Sequence, residues 1–212
     1  MKKQIVEFIG TFFLVLTIGM TVLSTPAGVI PPIAIGAILM TMVFAGGHIS
    51  GAHYNPAVTL AVLIRGKICP LGALSYWIAQ LFGAAVAAKT VLYLKGHPAA
   101  DALVNPVPHV MLAEFLFTFA LAWVVLNVAT ADSTKNNSFY GLAIGFTVMA
   151  GAFAVGTISG GAFNPAVVFG AIILGLLPAA KIGIYLIATL GGGAVAAILF
   201  RCVNTDEKIE NP

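Results

Sequence analysis

Six long stretches of the chain are almost uninterrupted apolar residues: Ile5–Leu23, Val29–Gly47, Cys69–Leu94, Val110–Ala131, Phe139–Ile158 and Ile182–Phe200. A helix of ~20 apolar residues crosses a ~30 Å hydrocarbon core, so each predicts a membrane span. Pro31 and Pro32 fall in the first turn of the second stretch, where a missing backbone N–H costs least. Two shorter apolar segments, Pro56–Ile64 and Pro165–Leu177, follow Asn55 and Asn164. At ~1.5 Å per residue, nine or ten residues cover only ~15 Å, so neither can span. Each opens with Asn as N-cap and Pro at the first helical position, which predicts a half-helix. The fold expected is an all-α membrane protein with six transmembrane helices and two re-entrant half-helices, 55–64 and 164–175.

Composition narrows the class further. The 212 residues are 60% hydrophobic and 8% charged, with mean hydropathy +1.04, against ~45–50% and ~25% in soluble domains. A soluble domain and a disordered chain are both excluded. A net charge of +3, scattered along the chain, makes no basic groove for nucleic acid. Cys69 and Cys202 have no framework of partners, so neither a disulfide scaffold, a Cys-ligated metal site nor any cofactor is expected. The N-terminal apolar stretch is too long for a signal peptide and reads as a retained span. Lys2, Lys3, Arg65, Lys67, Lys135, Arg201 and Lys208 fall on one side of a six-span chain, against Lys95 and Lys181 on the other, with Lys89 inside the third span. That bias places both termini in the cytoplasm of a plasma or inner membrane.

The chain also repeats itself. The run YWIAQLFGAAVAA from Tyr76 matches YLIATLGGGAVAA from Tyr185 at nine of thirteen positions, 109 residues apart, the same offset that relates Asn55 to Asn164. VEFIGTF from Val6 echoes AEFLFTF from Ala113. Residues 1–105 and 106–212 are therefore two copies of three spans plus a half-helix. An odd number of spans per copy forces opposite orientations, an inverted repeat with its pseudo-two-fold in the membrane plane. Asn55 and Asn164 then meet at the midplane. Irregular backbone at that depth needs protein or water partners, so Gly46–Tyr54 and Gly156–Phe163 are expected to line a water-filled path.

Glu7 and Glu114 are carboxylates inside spans at equivalent places of the two copies. Such groups flag function. The bland reading has each accepting N–H donors from a re-entrant loop; the rival is a proton relay, for which only His48 and His53 lie near. His97 and His109 belong to the polar connection Lys95–His109 and read as solvated.

GHISGAHYNPAV from Gly47 to Val58 and SGGAFNPAV from Ser159 to Val167 carry paired Asn-Pro-Ala signatures, Asn55-Pro56-Ala57 and Asn164-Pro165-Ala166, each behind a glycine-rich loop. With the Glu-Phe-x-x-Thr-Phe pattern that opens each half, they make the chain from Ile5 to Phe200 resemble the aquaporin, or major intrinsic protein, family. Asn105-Pro106-Val107 imitates the signature in a polar loop and reads as an ordinary turn. The resemblance implies a homotetramer in the lipid bilayer, each protomer with its own pore for water and small neutral solutes, and no enzyme activity. Small residues such as Gly141 and Gly145, or Gly83 and 191–193, allow tight helix crossings within or between protomers.

If Asn55 caps its half-helix through its side-chain oxygen, its NH₂ is left to donate into the lumen, and Asn164 does likewise. One water accepts from both, while two helix N-termini, each worth ~+0.5 charge, repel cations and protons. The carbonyls of Gly51, Ala52, His53, Gly160, Gly161 and Ala162 replace lost hydration. The family's second filter usually carries Arg after the second signature; here Val167 stands there, and the other ring positions fall at Ile35, Ala152 and Gly161. An apolar ring without the fixed charge implies a wider filter, open to hydrogen peroxide, ammonia, urea or small polyols, unless Phe163, Tyr54 or a loop side chain narrows it. Against a dedicated glycerol channel, Val168 replaces the family's Asp and Tyr185 adds an aromatic. The alternative class is an ion- or proton-coupled secondary transporter of inverted-repeat type, for which Glu7 and Glu114 are the only coupling candidates.

Overall fold

The computed structural model describes residues 1–23, 28–98, 102–103 and 105–205. Eight α-helices occur among them: α1 (Lys2–Val22), α2 (Ile30–Ser50), α3 (Pro56–Arg65), α4 (Pro70–Lys95), α5 (Val107–Ala129), α6 (Tyr140–Ser159), α7 (Pro165–Ile173) and α8 (Ile182–Val203), with no strand among the described residues. Six are long and apolar enough to cross a membrane, while α3 and α7 have 10 and 9 residues. The charge-bearing C-terminal stretch that includes Lys208 lies outside the described residues.

The two repeats interlock. α3 packs on α8 and α7 on α4, so each half-helix is held by the last span of the other copy; α1 with α4 and α5 with α8 are the matching pairs within copies. α2 crosses α6 and α3 meets α7, placing these equivalent elements on the pseudo-two-fold. Glycine makes the crossings possible. A Cβ on Gly145 would lie 2.5 Å from the Gly36 carbonyl oxygen, and one on Gly36 2.8 Å from that of Gly145. Gly83 against the Phe8 carbonyl, at 2.6 Å, repeats as Gly192 against the Phe115 carbonyl, at 2.5 Å. These close approaches, and those of Gly141 and Gly191 to the rings of Phe44 and Phe115, lie within the protomer.

Four helix ends differ from the sequence expectation. α2 and α6 stay helical to Ser50 and Ser159, so irregular backbone is confined to 51–55 and 160–164 instead of starting at Gly46 and Gly156. Glycine is a poor helix former, but Gly46 and Gly47 are kept helical because a Tyr54 ring and a Tyr140 ring fill the space their missing side chains leave. α5 begins at Val107, since Pro106 and Pro108 fit the N-cap and first turn where no N–H is needed. α7 ends at Ile173, where Gly175 at φ 76° turns the chain and the Leu176 N–H closes on the Ala171 carbonyl. At the far end of α3 the guanidinium of the buried Arg65 stacks over Phe200 at 5.1 Å.

Candidate functional site

The two loops 51–55 and 160–164 are built from strained backbone. Ala52 and Tyr54 sit at φ 50°, and their counterparts Gly161 and Phe163 at φ 62° and 50°. A non-glycine residue there costs ~1–3 kcal/mol unless its surroundings hold it. The glutamates do the holding. Buried Glu7 accepts hydrogen bonds from Ser50 Oγ (2.7 Å), the His53 N–H (3.0 Å), the Tyr54 N–H (2.7 Å) and Gln80 Nε2 (2.8 Å). Buried Glu114 accepts from the N–H groups of Ala162 (3.0 Å) and Phe163 (2.7 Å). Tyr76 and Tyr185 donate from their hydroxyls to the Ser50 and Ser159 carbonyls, at 2.7 and 2.6 Å. Gln80 has Thr189 as its counterpart, whose hydroxyl is turned to the Tyr185 carbonyl, so the second loop has the thinner support.

Asn55 and Asn164 cap α3 and α7, their side-chain oxygens accepting from the Ala57 and Ala166 N–H groups at 2.8 and 2.9 Å. Their amide nitrogens cross between repeats: Asn55 Nδ2 donates to the Phe163 carbonyl (2.8 Å) and Asn164 Nδ2 to the Tyr54 carbonyl (2.9 Å). The sequence reading left the whole NH₂ for the lumen; one hydrogen of each is instead used in this latch, and one remains. Pro56, Ala57, Pro165 and Ala166 are buried as the first turns of the half-helices. By contrast, the carbonyls of Gly51, Ala52, His53, Gly160, Gly161 and Ala162 accept no hydrogen bond from the described residues. Backbone oxygens without protein partners require water.

Three adjoining cavities offer room for it. A narrow section holding both asparagines, Ala52, His53, Gly161 and Ala162 has a volume of about 20 Å³, the scale of a single ordered water. Its remaining wall is apolar, with Leu39, Val58, Leu121 and Val148 among the side chains. At one end His53 and Val125 are shared with a vestibule of about 590 Å³ that also reaches Gly51, His48 and Lys67. At the other end Ile18, Ile35, Gly161, Ala162 and Val167 are shared with a vestibule of about 320 Å³ that also reaches Gly160.

Of the four positions read as a ring, Ile35, Gly161 and Val167 stand at this second junction, whereas Ala152 lines only the vestibule. Val148, one turn earlier on α6, faces the narrow section instead. Neither Tyr54 nor Phe163 swings its ring into the gap. The Tyr54 ring occupies the space beside Gly10 and Gly46 and donates its hydroxyl to the Met42 carbonyl at 2.9 Å, and Phe163 packs beside Gly151 with Phe117 at 5.4 Å. Glu7 and Glu114 line neither the narrow section nor the vestibules.

Two features escaped the sequence reading. The His53 imidazole stands at the first junction, with Nδ1 3.1 Å from Thr59 Oγ1 and its ring edge-on to Tyr76 at 5.1 Å; its counterpart is Ala162, so the repeat itself flagged the asymmetry. Asn105 is more than a turn residue. Its Nδ2 donates to the Thr157 and Ile158 carbonyls at 2.9 and 2.8 Å, capping the end of α6.

The sequence pattern of the Major intrinsic protein family matches residues 1–200. Aquaporin NIP1-4 of Oryza sativa subsp. japonica is 35% identical over 96% of this chain and 77% of its own length. Glycerol uptake facilitator protein-like 6 of Lactiplantibacillus plantarum is 34% identical over 98% of this chain and 100% of its own. Among solved structures, the aquaglyceroporin from Plasmodium falciparum superimposes with TM-score 0.77 at 21% identity, covering 94% of both chains.

Proposed function

The chain belongs to the major intrinsic protein family and is a multi-pass membrane channel for water or small solutes, and from that premise we propose a passive pore with an apolar, charge-free outer filter. The observation that carries the reading is the junction of Ile35, Gly161 and Val167, where the narrow section opens with no charged or aromatic side chain among those three. Water enters by replacing its hydrogen bonds with the unpartnered carbonyls of 51–53 and 160–162. At the midplane the remaining Nδ2 hydrogens of Asn55 and Asn164 both donate to one water oxygen, turning its hydrogens outward on either side. The N-termini of α3 and α7 add positive potential there, so cations meet both desolvation and repulsion.

A filter of this kind rejects solutes by fit alone. Hydrogen peroxide, ammonia, urea and small polyols are therefore proposed to share the path with water. We further place Val167 toward the outside, both termini in the cytoplasm and the protomer in a homotetramer, in keeping with the distribution of Lys and Arg and with the family. A coupled transporter would need carboxylates facing the path. Glu7 and Glu114 are instead committed to loop N–H groups.

Stopped-flow light scattering on proteoliposomes tests the reading, with sucrose, glycerol, urea and ammonium gradients on the native chain and Val167→Arg. The guanidinium should fill the junction and lower glycerol and urea permeability by about tenfold or more, a barrier increase of ~1.4 kcal/mol, while water falls less. Unchanged permeability to every solute would remove Val167 from the filter.

A further inference from the structure

We propose that the exposed Lys89 of α4 holds the phosphate of an anionic phospholipid on the lipid-facing side of the channel, with Tyr93 beside it at headgroup level. Leu71, Ile78, Phe82, Lys89 and Tyr93 follow one another along α4 at spacings of seven, four, seven and four, and all five are exposed. Residues so spaced share one side of a helix, and no other element of the protomer covers it. Three of them suit hydrocarbon, and tyrosine suits the membrane interface. Lys89 suits neither. The protein does not neutralise it, for Lys89 makes no hydrogen bond or ion pair among the described residues.

The depth of Lys89 follows from the crossing of α1 and α4. Gly83 meets α1 between Phe8 and Phe12, and Gly10, between those two, lies against the Tyr54 ring beside the asparagine latch, so Gly83 stands close to the midplane. Six residues further along α4, Lys89 is ~9 Å nearer the membrane surface, out of ~15 Å of hydrocarbon on that side. Its Cα therefore lies ~6 Å inside the apolar core. A lysine stem can bring its ammonium to the boundary, but Cα–Cβ bonds tilt toward a helix N-terminus, which on α4 points away from the nearer surface. The stem must double back, and a phosphate drawn toward it shortens the reach. Of the chain's seven carboxylates, Glu7 and Glu114 are buried on the loops, while Asp132, Asp206, Glu207 and Glu210 follow α5 and α8, which end on the opposite face. Asp101 alone belongs to the face of Lys89, Lys95 and Lys181. A second copy of the chain thus has little acid to offer Lys89, and a zwitterionic lipid brings its own cation to it. On the inward side of α4, Val91 packs with Leu174 at the end of α7, so a lipid held at Lys89 also steadies that contact.

Lys89→Leu and Lys89→Arg are compared with the native chain, and Lys2→Met, exposed in the first turn of α1 on the opposite face, measures the general effect of losing one positive charge. Each protein is titrated in detergent with dioleoylphosphatidylglycerol or dioleoylphosphatidylcholine, bound lipid is counted by native mass spectrometry, and unfolding is followed on heating. The native chain should prefer phosphatidylglycerol and melt higher in its presence. Lys89→Leu should weaken that preference about fivefold, the effect of one cation at a membrane surface, and lose most of the added thermal stability. Lys89→Arg should keep both, and Lys2→Met should lose less than Lys89→Leu. Leucine suits the surrounding hydrocarbon and Lys89 lines none of the three cavities, so native water permeability of Lys89→Leu in proteoliposomes verifies its fold. The same lipid preference in the native chain and Lys89→Leu, or an equal loss in Lys2→Met, overturns the proposal. A change in oligomeric mass of Lys89→Leu with lipid preference intact overturns it too, and assigns Lys89 to a contact between copies.

Discussion

Glu7→Ala is expected to cost the protein most of its stability and all of its water flux. The substitution strands four donors at once: the N–H groups of His53 and Tyr54, Ser50 Oγ and Gln80 Nε2. A buried donor left without a partner costs ~1–3 kcal/mol, and the left-handed backbone at Ala52 and Tyr54 loses the contacts that hold its ~1–3 kcal/mol of strain per residue. Together these predict a loss on the order of 4–8 kcal/mol. Thermal unfolding in detergent should show a large downward shift, with permeability in liposomes reduced to that of bare lipid. Glu114→Ala strands two loop N–H groups beside the Ser159 hydroxyl, with no counterpart of Gln80, and should cost less. Equal melting temperatures for the two variants would mean that the glutamates do not act by holding the loops.

Gly145→Ala should force apart the crossing of α2 and α6. The new carbon would sit 2.5 Å from the Gly36 carbonyl oxygen and 2.6 Å from Met40 Cβ, so α2 and α6 must separate. Overpacking of this kind costs ~1–3 kcal/mol and occasionally more. The two helices also carry facing walls of the narrow section, Ile35 and Leu39 on α2 and Ile144 and Val148 on α6, so the survivors should leak larger solutes. Gly183→Ala is the control, because nothing lies within 4 Å of its Cβ position. There alanine's better helix propensity should leave the melting temperature unchanged or raise it, by ~0.5–1 kcal/mol at most. If both substitutions behave alike, the α2–α6 crossing does not depend on glycine.

The spans were legible because a membrane helix is specified by composition over ~20 residues, a property no tertiary contact needs to supply. The half-helices were legible for a different reason: Asn55-Pro56 and Asn164-Pro165 are local start signals, and the lengths that follow exclude a crossing. Pairing of the two came from the internal repeat. What sequence could not show is who occupies the space a glycine leaves. Gly46 and Gly47 fall both at the end of the second predicted span and in the stretch expected to line the path; Tyr54 and Tyr140 fill their sides and they stay helical. Gln80 and Glu7 are 73 positions apart, and Asn105 and Ile158 are 53 apart; no periodicity announces such partners. His53 was legible as backbone and not as side chain, since only the packing against Tyr76 and Thr59 decides where its ring goes.

The exchange of half-helices between repeats bears on how the molecule is made. α3 leaves the ribosome long before α8, the span it packs against, has been translated, and α7 returns to α4, which was finished earlier. During synthesis, then, the first copy must wait in the bilayer with its glutamate-bound turn formed, since all four donors to Glu7 lie at or before Gln80, but with its short helix held only by α4 of its own copy. Assembly closes in one late event, when the final span arrives and both asparagines find the carbonyls across the dyad.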